Sequence, residues 1–153
     1  MATGRATDRQ IEEQLRRDPS EDGIRHAHSL RTAVPDAQHK AAAWALLTGD
    51  ASLDVQTIVN VATAFRNPEH AELLRPYSHR YFELLPRVWE HRTGFARMLT
   101  ATFLVPTVDA GPQLLALADE FLAEHKDSDP GLVRAMVENR ATIARAAASR
   151  ALL

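Results

Sequence analysis

The sequence predicts an all-α fold in which antiparallel helix pairs stack as a HEAT-like α-solenoid, with a compact helical bundle as the alternative. Three observations predict it. Apolar residues recur at helical spacing almost throughout, and no convincing strand alternation interrupts them. Prolines and cap residues cut that pattern into roughly nine or ten short helices joined by tight turns. Aromatics make up only 6% of the chain while alanine is abundant, a composition that favours close helix packing over a β-sandwich. Each helix has an apolar side too wide to leave in water, so neighbouring helices must cover it.

The first helix is expected over residues 7–17, with Ile11 and Leu15 as a thin apolar stripe and Pro19 ending it. The second covers residues 21–32, with Ile24 and Leu30 inward. Pro35 opens a third over residues 36–48, which places Ala41, Trp44 and Leu47 on one face and assigns Gly49 a left-handed cap. Asp54 caps the fourth, and Val55, Ile58, Val59, Ala62 and Phe65 follow at core spacing. Asn67-Pro68 restarts the chain as a cap followed by proline. Pro76 starts a helix with Tyr77, Tyr81, Leu84, Leu85, Val88 and Trp89, and Pro86 inside it predicts a kink or break.

Thr93 is the expected cap of the next helix, with Phe95, Met98, Leu99, Thr102 and Phe103 along it. Residues 106–112 read as a loop. A helix over residues 112–124 buries Leu114, Leu115, Leu117, Ala118, Phe121 and Leu122. The polar run 126–129 is a connection. Asp129-Pro130 then caps a last helix with a long inward stripe that includes Leu132, Val133, Met136, Val137, Ile143 and Ala147.

The 153 residues are expected to form a single helical domain, 1–153, long enough to bury roughly 70% of the unfolded surface without a disulfide or a metal. Net charge is −2 with both signs interspersed, and no basic stripe marks a nucleic-acid binder. Arg16 and Arg17 are offset by Glu12, Glu13 and Asp18, the pattern of a solvated helix face. The absence of cysteine excludes disulfides and thiol catalysis and fits a reducing compartment. Residues 1–5 lead into no apolar run, so no secretory signal is expected, and no stretch approaches the ~18 apolar residues of a membrane span. The expectation is a soluble, cytoplasmic protein that binds neither nucleic acid nor membrane.

No constellation for bond cleavage emerges. A helix that grips zinc through two histidines needs them at i and i+4, and none of the seven histidines are three or four apart. His26 and His28 point to different sides of a helix. Glu12, Glu13 and Asp18 read as solvated carboxylates rather than an acid/base pair. There is no G-x-S-x-G and no phosphate-cradling glycine loop. The catalytic and metal residue sets are therefore empty. Tyr77, Tyr81, Phe82 and Trp89 cluster with arginines, and their spacing reads as a core between helices. The exposed members are expected to be Arg75, Arg80, Arg87 and Arg92. Their fixed forks of donors suit contact with a peptide carboxylate or a protein partner.

Several segments match something specific. Lys40-Ala41-Ala42-Ala43-Trp44-Ala45-Leu46-Leu47-Thr48-Gly49-Asp50, completed by Leu53, resembles the pattern KAxAWxxLTxDxxL. Phe65-Arg66-Asn67-Pro68 matches F-x-x-P. Glu72-Leu73-Leu74-Arg75-Pro76-Tyr77 followed by Arg80-Tyr81-Phe82 resembles ELLxPYxxxYF, and Leu85-Pro86 with Trp89 continues it as LPxxW. Upstream, residues 7–27 are similar to TDxxIxxELxRDxTxxGxRHA. Near the end, Leu132-Val133-Arg134 and Glu138-Asn139-Arg140 follow a looser LRRxxxExRD. These patterns, in this order, are those of the C-terminal helical domain of bacterial zinc aminopeptidases of the aminopeptidase N type, related to that of the endoplasmic-reticulum aminopeptidases. The resemblance implies a curved array of antiparallel helices that closes over a catalytic domain and encloses a substrate chamber. It also implies that Met1 falls midway through the family's helical domain.

The departures are as informative. The family holds zinc with H-E-x-x-H and a downstream glutamate and binds the substrate amine with G-x-M-E-N, and neither motif occurs here. No catalytic residue carries over, and zinc belongs to the full-length family rather than to this chain. Asp109-Ala110-Gly111-Pro112 replaces the family's S-x-E-T helix start. The first functional expectation is therefore a non-catalytic domain or remnant of a zinc aminopeptidase, the helical wall of its chamber. Its partner would be an aminopeptidase catalytic part, or a second copy meeting it through exposed apolar surface. The alternative is a stand-alone helical-repeat adaptor that binds proteins along its concave side.

Overall fold

The computed structural model describes residues 6–49 and 52–153. Residues 1–5, read above for a signal, and Asp50 of the first motif lie outside the described residues. Among these residues the fold is all-α: nine α-helices and two short 3-10 turns, with no strand. The chain divides into two compact units, residues 1–73 and 74–153.

In the first unit, α1 (Asp8–Arg17), α2 (Glu21–Ala33), α3 (Ala37–Gly49) and α4 (Val55–Phe65) pack as neighbouring pairs. Local chemistry fixes their starts. Thr7 and Gln10 form a reciprocal capping box on α1. Ser20 accepts from the Gly23 amide at 3.2 Å, and Asp54 accepts from the Thr57 amide at 3.0 Å. Such caps are each worth about 1 kcal/mol. A 3-10 turn at Pro68–His70, capped by Asn67, leads into α5 (Ala71–Leu74).

Packing rotates several faces away from the sequence expectation. Ile24 is 43% exposed, and α2 turns Ala27 and Thr32 inward instead. On α3 the buried face is Lys40, Ala43 and Leu47, with Ala41 in solvent. Val55 is exposed at the start of α4, and Thr57 and Val61 join Ile58, Ala62 and Phe65 inside. Gly49 is the last residue of α3 and lacks the left-handed φ expected of it. The common cause is that an inner helix packs against more than one neighbour, as α2 does against α1, α3 and α4, so its buried arc is set by where they stand.

Lys40 is 0% exposed. Its Nζ donates to the Thr32 carbonyl at 2.7 Å and lies 5.9 Å from the centre of the Phe65 ring. That carbonyl is among the last four of α2, which have no partner within the helix. Burial pulls the amine down to about 8.

In the second unit, α6 (Pro76–His91), α7 (Gly94–Phe103), α8 (Pro112–Glu124) and α9 (Pro130–Ala151) pack together, with the second 3-10 turn at Thr107–Asp109. The helix α6 continues through Pro86 without a break. Its buried Leu84, Leu85, Val88 and Trp89 lie on both sides of the proline, so packing holds the turn that lacks one backbone donor. On α7 the expected face is also rotated: Phe95 is 66% exposed and Thr102 is in solvent, while Leu99, Thr100 and Ala101 are buried. Gly94 opens that helix at φ +54°, a left-handed value that glycine adopts without strain. Val137 is exposed on α9, and Ala135 and Asn139 are inside.

Two polar links tie this unit together. Asp129 caps α9 through the Gly131 and Leu132 amides and also accepts from the Trp89 indole at 3.1 Å. The Tyr81 hydroxyl, fully buried, donates to the Ala101 carbonyl at 2.8 Å. No described helix is long and apolar enough to cross a membrane.

Candidate functional site

The four arginines singled out by sequence do not converge. Arg80 and Arg87 are seven residues apart, two helical turns, so both lie on one solvent-facing side of α6 about 10 Å apart along its axis. Arg80 lies over the Tyr77 ring, 5.2 Å from its centre. Arg75 precedes α6 and faces elsewhere: its Nε is 3.7 Å from Asp109 Oδ1. Arg92 is 6% exposed, which corrects the expectation that it faces solvent. Its stem turns back at the end of α6, and the guanidinium donates to the Thr100 hydroxyl at 2.8 Å. An arginine at a helix end can bury itself when a neighbouring helix offers an acceptor, here α7.

Arg75 borders a cleft of about 680 Å³ between the start of α6, the 3-10 turn and α8. Ser78, one turn along from Arg75, lines it, with Asp109, Gln113, Leu117 and Glu120 opposite. Gly111 precedes α8 and offers no side chain, so the first amides of that helix have no side-chain cap. They carry the positive end of the helix dipole into the cleft. The Ser78 hydroxyl is buried and has no hydrogen-bond partner. At one end stand Arg75, paired with Asp109, and the first amides of α8, which begin at Gln113 because Pro112 has none. The Glu120 carboxylate stands eight residues further along, about 12 Å away. Of this group the sequence reading found Arg75 alone. The i, i+3 relation of Arg75 to Ser78 and the uncapped Gly111-Pro112 start were the available signals.

No base holds the Ser78 proton, so the hydroxyl is not an activated nucleophile. His26 is exposed, and His28 is half-buried and held below the ordinary histidine range by burial and then by Arg31. Among the described residues no three histidine or carboxylate side chains come together to hold a metal ion. The zinc that the resemblance implies for the full-length enzymes thus has no ligand set among them.

The family model for the ERAP1-like C-terminal domain matches residues 1–145. The chain belongs to this family. An aminopeptidase N from Streptomyces lividans is 32% identical to the ERAP1-like domain over 150 residues, 98% of this chain and 17% of that protein. The domain thus spans well under a fifth of the relative's length. Asn139 and Tyr81 of the ERAP1-like domain, both within motifs quoted above, are in direct contact in its core.

Proposed function

We propose that the chain is the non-catalytic helical part of a zinc aminopeptidase, an enzyme that removes N-terminal residues from peptides. It serves as a wall of the substrate chamber. The observation that carries this reading is family membership over residues 1–145, joined to the aminopeptidase N relative. Chemistry then belongs to other residues than these, and this domain shapes which peptides reach them. Its partner is an aminopeptidase catalytic part or a second copy.

Peptide contact on this reading centres on Arg75 and its cleft. Arg75 and the uncapped start of α8 suit acceptors of an extended peptide, and Glu120 suits a donor. The roughly 12 Å between those ends matches three or four extended residues at about 3.4 Å each. Arg80 and Arg87 form a separate basic strip for a partner surface.

The test is a peptidase assay of the purified chain with added zinc, then with a tail-deleted aminopeptidase. The expected result is no hydrolysis alone and restored hydrolysis on mixing. Hydrolysis by the chain alone that survives removal of contaminants would overturn the reading. Unchanged peptide binding by the assembled enzyme after Arg75→Ala and Arg80→Ala would remove the arginines from it.

A further inference from the structure

Helix α1 is lightly fastened. It buries one apolar side chain, Ile11, against its surroundings. Leu15 is half-buried, and the polar attachments lie on one face, at Asp8 and Glu12. Glu12 pairs with Arg31 of α2. Asp8 Oδ1 lies 2.9 Å from Nε2 of His39 on α3. The other ring nitrogen of His39 is 2.5 Å from Asp36 Oδ2, and the other oxygen of Asp36 accepts the His39 amide at 2.9 Å. Asp36 therefore sets the ring from behind and aims Nε2 at α1. Two carboxylates facing two ring nitrogens are both satisfied only by an imidazolium, since a neutral ring donates through one nitrogen.

The helix lies over a cleft of about 520 Å³ that is separate from the Arg75 cleft and belongs wholly to the first unit. Its acidic groups, Asp8 and Glu12, come from α1. Its basic groups, His28, Arg31 and His39, come from α2 and α3, with Ala43 and Leu46 as apolar lining. We propose that α1 is a strap over this cleft, closed when His39 is protonated on both ring nitrogens.

The surrounding charges favour the doubly protonated ring. His39 is held above the ordinary histidine range, chiefly by its hydrogen bond to Asp8 and despite partial burial, with Asp36 adding to the effect. Its contribution to closure is complete below pH ~6.5 and is lost as pH rises through the raised value. His28 also lines the cleft and is displaced the other way, by burial and then by Arg31. Arg31 of α2 also faces the cleft, and Asp36 is held below the usual carboxylate range, chiefly by the His39 amide. Lys40, next to His39, turns its amine to Thr32 and Phe65, while Asp54 at the start of α4 and Arg25 and Glu21 of α2 line a second cleft on the other side of His28.

Hydrogen exchange of the α1 amides in the full chain tests this at pH 5.5, 6.5 and 8.5, corrected for intrinsic rates and compared with α4. Protection of α1 relative to α4 should be equal at pH 5.5 and 6.5 and fall about fivefold by pH 8.5. Asp8→Asn, at an exposed position, and His39→Gln should each remove the alkaline loss. Protection that is equal at all three pH values, or an alkaline loss that persists in Asp8→Asn, would overturn the strap. Neither outcome bears on the peptidase-wall reading, which rests on other residues.

Discussion

Asn139 Nδ2 donates to the Tyr81 hydroxyl at 2.7 Å, in the buried centre of the second unit. The same amide reaches the Ala101 carbonyl at 3.3 Å, where the tyrosine also donates. Ala101 lies in the last turn of α7, whose carbonyls have no acceptor role left within the helix. Two side chains from α6 and α9 thus cap the end of α7.

Tyr81→Phe should cost about 1–2 kcal/mol, and Asn139→Ala about 2 kcal/mol, because each leaves a buried polar group short of a partner. The double variant should lose less than the sum, since both changes act on one network. Urea denaturation of the three variants measures this.

Gly23→Ala should destabilise the first unit, although alanine is normally the better helix former by about 1 kcal/mol. A β-carbon at Gly23 would lie 2.0 Å from the Asp18 carbonyl oxygen. That oxygen is backbone, at the residue that ends α1, so relief requires moving the α1–α2 turn. A net loss of about 1–3 kcal/mol is expected by thermal or urea unfolding.

Lys40 makes stability rise with alkaline pH. Its folded value of about 8 lies below its unfolded one, so the unfolded chain binds more protons between the two. The unfolding free energy should gain on the order of 1 kcal/mol per unit between pH 8.5 and 10. Lys40→Met should abolish that gain, as read from urea midpoints at each pH.

Ser78→Ala should raise the melting temperature of the chain. The hydroxyl is buried without a hydrogen bond, so its removal restores about 0.5–1 kcal/mol of desolvation cost and leaves no partner stranded. A fall in melting temperature on this substitution would show that the hydroxyl has a partner after all.

Helix positions were legible because their signals are local. Asp54, Asn67 and Asp129, the caps read from the sequence, accept backbone amides, while Thr93, read the same way, starts α7 without a side-chain bond. The inward faces were less so. Periodicity gives an apolar stripe, but Ile24, Val55 and Phe95 belong to such stripes and stand in solvent. Burial of Lys40 and Arg92 was invisible, because a long cation is a surface residue until a neighbouring helix supplies an acceptor. Of the Arg75 cleft, Asp109 and Glu120 lie over thirty residues further along the chain, and no spacing rule joins them to it.

The sequence by itself determined that the chain is helical, where its helices start, and which family it belongs to. Those properties follow from backbone hydrogen bonding within a few residues and from motifs read in order. Tertiary structure alone decided which arc of each helix is buried and which polar groups meet. Tyr81 finds Asn139, Asp8 finds His39, and Arg75 finds Asp109 only once separate helices are packed. A buried polar group must find its partner wherever the packing brings one, and that location is not encoded in its near neighbours.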